Sequence, residues 1–299
     1  MIMLYIVKQG DTLAMIARRF DTTVAAIMEA NVICNANRIF EGEPLIIPVE
    51  GLALPKAGGS PFYVVLPGDT LFCLARQFGT TVNRLARNNQ ISDPERIRAY
   101  RELMVLPVAP NANRLARTWA DTPGEDCLIY EPQRYGIYYL GTFEWYALGT
   151  RAIPPLLVLT NHRCPQVRYY AILSLGRIAR DISGRVKLAL RKRFTDPEPA
   201  VAEIARLAYR RLRLAEQGYR RTHLLTIDDE LTLDLNDPNR PTLPLPVGTA
   251  VMALRWHIPS PTGEEGPRGD ILIYDQVQVI STGRVGFIAR RGHNEISLV

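Results

Sequence analysis

The chain has 299 residues, 47% of them hydrophobic and 22% charged, with a formal net charge of +6. No apolar run approaches the roughly 20 residues that a membrane-spanning helix requires, so the composition is that of a soluble globular chain without a membrane span. Length alone suggests about two domains, whereas the patterning below divides the chain into four small units.

Met1 to Lys8 reads as a first β-strand, with neither a basic n-region nor a cleavage site. The expectation is synthesis in the cytoplasm, with a spore envelope or cell wall reached by a non-standard route. Val7-Lys-Gln-Gly-Asp-Thr-Leu13 then returns 58 residues later as Val65-Leu-Pro-Gly-Asp-Thr-Leu71, the signature of an internal repeat. In each copy the apolar residues Leu13, Ile16, Ala17 and Phe20, or Leu71, Leu74, Ala75 and Phe78, recur at helical spacing on one face. Thr22-Thr23 and Thr80-Thr81 cap a second short helix. Asn31 and Asn89 fall near its C-terminal end, where Asn tolerates a left-handed conformation. Leu45-Ile-Ile-Pro48 and Leu103-Met-Val-Leu-Pro107 supply a closing strand, so the predicted unit is strand, helix, helix, strand.

Tyr5 to Leu13, Asn31 and Ile39-Phe-Glu-Gly-Glu-Pro-Leu-Ile-Ile-Pro48 resemble a LysM domain, and Tyr63 to Pro107 resembles a second. The resemblance implies a βααβ fold that grips N-acetylglucosamine polymers, peptidoglycan or chitin, in a shallow groove between the loop after the first strand and the loop before the second. It places the groove at Gly10, Asp11, Thr12, Leu13, Asn35, Arg38 and Ile39 in the first module. In the second the corresponding residues are Gly68, Asp69, Thr70, Leu71, Asp93, Arg96 and Ile97. An acetamido sugar offers one donor, one acceptor and a methyl group, which suits free backbone groups over a small apolar floor. Asp11 and Asp69 also have a purely structural reading as turn and cap residues. The second module departs from the pattern where Ala99-Tyr100-Arg101-Glu102 replaces Glu41-Gly42-Glu43, placing a side chain at a turn that favours positive φ.

The first module is assigned to residues 1–50 and the second to 62–108. Residues 51–61 read as a flexible linker, spanning on the order of 20 Å and letting two weak sites act together. Residues 109–131 read as a second linker, and helix is expected from about Pro132. Between 132 and 221, Ile153 to Leu159, a turn to Pro165, and Val167, Ala171, Leu175 and Ile178 recur as Val186 to Phe194, Asp196 to Pro199, Val201, Ala205, Tyr209 and Leu212. This period, with Val-Arg followed by Ala-x-x-x-Leu-Gly, is similar to HEAT repeats and implies a stacked helical scaffold offering a surface to a protein partner. From Arg163 to Arg221 fifteen Arg and Lys face five Asp and Glu. Solvated scaffold is the first reading of these arginines, contact with a protein or anionic polymer the second, and nucleic acid is not expected. From Pro246 onward the pattern alternates with period two and turns at Thr282-Gly283, so residues 222–299 are assigned to a small antiparallel β-domain of SH3-like type, with Trp256 and Tyr274 in its core.

The fold class is therefore α+β multidomain: two βααβ modules, a HEAT-like helical segment and a C-terminal antiparallel β-domain. Cys34, Cys73, Cys127 and Cys164 lie far apart, with no metal-ligand spacing, and are read as reduced thiols. Asp126-Cys127 is the sole local candidate for a nucleophilic thiol, and no histidine follows in a convincing strand signature. No cofactor, metal site or catalytic residue is assigned. The reading is a non-catalytic glycan binder, with a wall-remodelling hydrolase or transpeptidase as the alternative.

Overall fold

The computed structural model describes residues 3–48, 61–123, 127, 132–266 and 271–290. The first module runs β1 (Met3–Ile6), α1 (Leu13–Arg19), α2 (Val24–Asn31) and β2 (Pro44–Ile47). The second repeats it as β3 (Phe62–Val64), α3 (Leu71–Gln77), α4 (Val82–Asn88) and β4 (Glu102–Met104). Each strand pair is antiparallel, with Tyr5 opposite Leu45 and Tyr63 opposite Leu103. All four helices start alike. Thr12, Thr23, Thr70 and Thr81 hold extended backbone, and each hydroxyl accepts the N–H three residues on at 3.1–3.2 Å. This satisfies one of the donors that a helix N-terminus leaves unpaired.

Asn31 and Asn89 have a different task from the one expected. The left-handed residue is the next one in the first module, Val32 at φ 58°, and likewise Gln90 at φ 50° in the second. The asparagine side chain is buried instead, as a clamp. Asn31 Nδ2 donates to Ile27 O and Ile46 O, both at 2.7 Å, while its Oδ1 accepts the Ile46 N–H at 2.7 Å. Asn89 repeats this with Leu85 O, Met104 O and Met104 N–H at 2.9, 2.8 and 2.7 Å. An amide carries both donors and an acceptor, so one side chain ties the second helix of each module to its closing strand.

Residues 109–131, expected to be a linker, contain α5 (Ala112–Ala120), and its Trp119 is fully buried. An Asn111 cap and a strongly one-sided apolar face stabilise this helix, which packs against two helices that follow. Those are α6 (Pro132–Leu148) and, after a short 3₁₀ turn, α7 (Ile153–Leu159). Next come α8 (Pro165–Ile178), α9 (Arg185–Lys192) and α10 (Pro199–Glu216). Pro165 and Pro199, 34 residues apart, each occupy the first helical turn, where a missing N–H costs nothing. Between the two pairs Arg168 grips Asp196 with two bonds, Nε to Oδ2 at 2.9 Å and Nη2 to Oδ1 at 2.6 Å.

The C-terminal unit is a six-stranded antiparallel sheet of β5 (Thr222–Leu224), β6 (Asp229–Thr232), β7 (Thr242–Leu245), β8 (Ala250–Pro259), β9 (Ile273–Val279) and β10 (Val285–Ala289), ordered β5-β8-β9-β10-β6-β7. The β9–β10 hairpin turns at Gly283, φ 70°, and Trp256 and Tyr274 are buried as expected.

The four units do not stand apart. Leu4 and Ile46, on the outer face of the first hairpin, pack with Leu235, Ile258, Tyr274 and Phe287 of the C-terminal unit. Phe62, Val64 and Met104 of the second hairpin join one core with the helices and with Trp256. The cysteines are corrected too: Cys34 bridges to Cys73 and Cys127 to Cys164, with Cα separations of 5.9 and 5.5 Å. Their sequence separations of 39 and 37 residues carry no local signature, because packing alone brings them together. The first bridge ties the modules directly, and Val32 of the first module sits in the core of the second. The linker assigned to 51–61 lies outside the described residues except Pro61.

Candidate functional site

In both modules the two loops expected to form the groove rest on a shared apolar base. Leu13 and Ile39 belong to one cluster, and Leu71 and Ile97 to its counterpart. Leu13 and Leu71 are themselves buried, at 2% and 1% exposure, so they lie beneath the loops and do not face solvent as groove residues would. Gly10, Thr12, Asn35 and Arg38 are exposed in the first module, as are Gly68, Thr70, Asp93 and Arg96 in the second. Gly10 and Gly68 hold φ of 82° and 94°, a conformation that glycine adopts without steric cost. The second loops are pinned by Arg38 N–H to Asn35 O at 3.0 Å and by Arg96 N–H to Asp93 O at 3.1 Å.

Asp11 and Asp69 bind the turn. Asp11 Oδ2 accepts from Tyr5 OH at 2.5 Å and from Lys8 N–H at 2.9 Å. Asp69 Oδ2 accepts from Tyr63 OH and Leu66 N–H, both at 2.8 Å. Their electrostatics nevertheless diverge. The hydrogen bonds from Tyr5 and Lys8 N–H hold Asp11 below the usual carboxylate range. Burial pushes Asp69 up to about 6 despite equivalent hydrogen bonds, and the nearby Glu43 adds to the rise.

The difference arises because the first module covers part of the second. A Cβ on Gly68 would lie 2.6 Å from Arg38 Cδ, so the Arg38 side chain lies across the Gly68 turn. A residue expected to line the first groove thus covers the glycine turn of the second module. Tyr100 stands where the first module has Gly42: both have positive φ, 63° and 81°, and both donate their N–H to the first strand's edge, Tyr100 to Val65 O and Gly42 to Val7 O. The tyrosine therefore accepts a backbone conformation that costs a non-glycine residue roughly 1–2 kcal/mol. Phe72, 71% exposed at the start of α3, gives the second module an aromatic face where the first has Ala14.

A cleft of about 1280 Å³ opens beside the loops of the second module, between that module, the helices and the sheet. Asp93, Arg96 and Ile97 lie in its wall. Deeper in, Glu102 accepts from Trp256 Nε1 at 3.0 Å and lies 3.1 Å from His223 Nε2. Burial alone would raise Glu102, but His223 beside it and the bonds from His223 and Trp256 hold it below its ordinary value. Residues from positions 102, 211, 223 and 256 meet here, so no contiguous motif marks the cleft, although Arg177, Arg180, Arg211, Arg220 and Arg221 in its wall come from the basic stretch between Arg163 and Arg221. Cys127, the local nucleophile candidate, is bonded to Cys164. Among the described residues no group of three or more His, Cys, Asp or Glu is placed to hold a metal, and no helix is long and apolar enough to cross a membrane.

The LysM domain family matches residues 5–48 and 63–105. The chain is 31% identical over 126 residues to the secreted LysM effector ECP6 of Passalora fulva, covering 36% of this chain and 54% of that protein. It is 34% identical over 104 residues to the secreted LysM effector ELP2 of Colletotrichum higginsianum (strain IMI 349063), covering 30% and 59%. A third relative, the probable autolysin SsaALP of Staphylococcus aureus (strain NCTC 8325 / PS 47), is 26% identical over 157 residues, 49% of this chain and 55% of that one. The chain thus spans little more than half the length of each of these relatives. Matched twice at constant register, with the same caps, the same asparagine clamp and the same aspartate-braced turn in each copy, the first third of the chain is a tandem of LysM domains.

Proposed function

We propose that this protein binds N-acetylglucosamine-containing glycan, peptidoglycan or chitin, through its two LysM domains without cleaving it. The observation that carries the reading is the duplicated pair of loops, each an exposed glycine turn facing an exposed polar loop over a common apolar base. Such a surface brings glycine backbone and polar side chains to solvent beside a small apolar base, which suits an acetamido sugar. Because the modules share a disulfide and a core, their two grooves are held at a fixed spacing. That limits the ordering entropy paid when both engage one strand. The helical unit serves as a scaffold in this reading, its Pro-initiated helix pairs offering a surface to a protein partner.

Sedimentation with insoluble peptidoglycan and with chitin, competed by soluble GlcNAc oligomers, tests the proposal. Retention that the oligomers abolish is expected, and retention that they leave untouched moves the site elsewhere. The likeness to an autolysin supports a second reading, a wall-remodelling enzyme. Incubation with labelled peptidoglycan decides between them, since soluble product would establish cleavage.

A further inference from the structure

Among the described residues, nine arginines and five acidic residues line the cleft between the second LysM domain, the helices and the sheet. Arg98, Arg180 and Arg220 are exposed along it. Arg211 lines it as well but is 5% exposed. Its Nη2 donates to Arg220 O at 2.6 Å, while among the described residues Nε and Nη1 have no hydrogen-bond partner. Arg221 Nε is likewise buried and unpartnered. Burial lowers the pKa of Arg211, an effect that Glu102 opposes, and Glu102 is already engaged by His223 and Trp256.

A guanidinium remains charged in proteins, and a buried cation left without a full set of acceptors is costly. A ligand bearing carboxylates in the cleft would offset that buried charge and pair with the exposed guanidinium forks of Arg98, Arg180 and Arg220. The position of the cleft narrows the source. Its wall includes Asp93, Arg96 and Ile97, from the loop that flanks the second groove, so a group entering it can be attached to a glycan lying in that groove. Trp256 and Tyr146 also line it, giving apolar surface for the body of a peptide. Chitin is neutral, whereas peptidoglycan carries a lactyl-linked peptide with free carboxylates.

We infer that the cleft is a second binding site, taking the carboxylate-bearing peptide of a muramyl glycan whose sugars lie in the second LysM groove, so that the protein distinguishes peptidoglycan from chitin by charge. The inference rests on the glycan-binding reading of the modules and extends it. The test is calorimetric titration of the full chain with a peptide-bearing muramyl oligosaccharide and with a chitooligosaccharide of the same ring number. The peptide-bearing glycan is expected to bind more tightly, and more so at low salt. Arg211→Met should weaken it roughly tenfold and leave the chitooligosaccharide unaffected. Arg180→Ala with Arg220→Ala, both exposed positions, should act in the same direction without touching the buried core. Equal affinity for the two glycans, unmoved by either set of substitutions, overturns this inference and leaves the module reading intact. No affinity for either glycan overturns both. Tighter binding of a phosphate-rich polymer of equal charge than of the peptide-bearing glycan would refute the assignment to carboxylates.

Discussion

Replacing Asn89 with Ala should unfasten the second module from within. The substitution removes three hydrogen bonds, to Leu85 O, Met104 O and Met104 N–H, at a site where Met104 is fully buried. At about 1 kcal/mol per bond, plus about 1–2 kcal/mol for a strand N–H left buried and unpaired, the expected loss is roughly 4 kcal/mol. Asn31→Ala removes the same three bonds from the first module. It also takes the Oδ1 acceptor from Arg255 Nη2, which lies 2.6 Å away. Arg255 Nη1 is already unpartnered among the described residues and burial depresses the pKa of this side chain. Losing a charged bond adds roughly 1.5–3 kcal/mol, so the first module should suffer more. Native-state hydrogen exchange at the Met104 and Ile46 amides reads each clamp locally. Intrinsic tryptophan fluorescence in urea, to which Trp256 contributes from 5.6 Å beside Phe62 of the second hairpin, reads the overall loss of stability. Protection at Met104 unchanged in Asn89→Ala, or an equal loss in the two variants, would refute the clamp and its ranking.

Removing the bridge with Cys34→Ser and Cys73→Ser opens a loop of 39 residues and should cost roughly 4 kcal/mol by the chain-entropy relation, read as a lowered urea midpoint. An unchanged midpoint would mean that packing alone holds the modules together. Asp69 should titrate near pH 6 by carboxyl NMR. Its folded pKa lies above the unfolded value, so its contribution to stability is fully present below about pH 4 and is lost as pH rises through 6. Asp69→Asn should therefore stabilise the protein at pH 7 and change little at pH 4. Asp11, whose folded pKa is lowered, contributes in the opposite sense, present above its unfolded pKa and lost as pH falls through the folded one. Phe72→Ala removes an aromatic side chain that is 71% exposed and should weaken GlcNAc-oligomer binding by the full chain several-fold without altering its urea midpoint, stacking on an aromatic face being worth roughly 1 kcal/mol. Unaltered affinity would place the sugar away from α3.

What the sequence could disclose by itself was whatever lies within one element or one repeat. The threonine caps, the helical spacing from Leu13 to Phe20, the 58-residue recurrence, the Pro165 and Pro199 helix starts and the Gly283 hairpin are all written in residues a few positions apart, because capping and amphipathicity act over a single turn or strand. The two loops of each repeat, after its first strand and before its last, were legible for the same reason. Tertiary structure decided how the units meet. Leu45, Ile46 and Ile47 form a strand without alternation, which marks burial on both faces: Leu45 and Ile47 close the module's own core while Ile46 turns toward the sheet. The run shows that a second partner exists but not which, since any apolar face would satisfy it. The Cys34–Cys73 bridge, the Arg38 side chain across Gly68 and the arginine cleft joining positions 102, 211, 223 and 256 follow from that docking. Contacts between residues so far apart depend on which faces pack together, a choice made by the summed burial of the whole chain and carried by no local pattern within it.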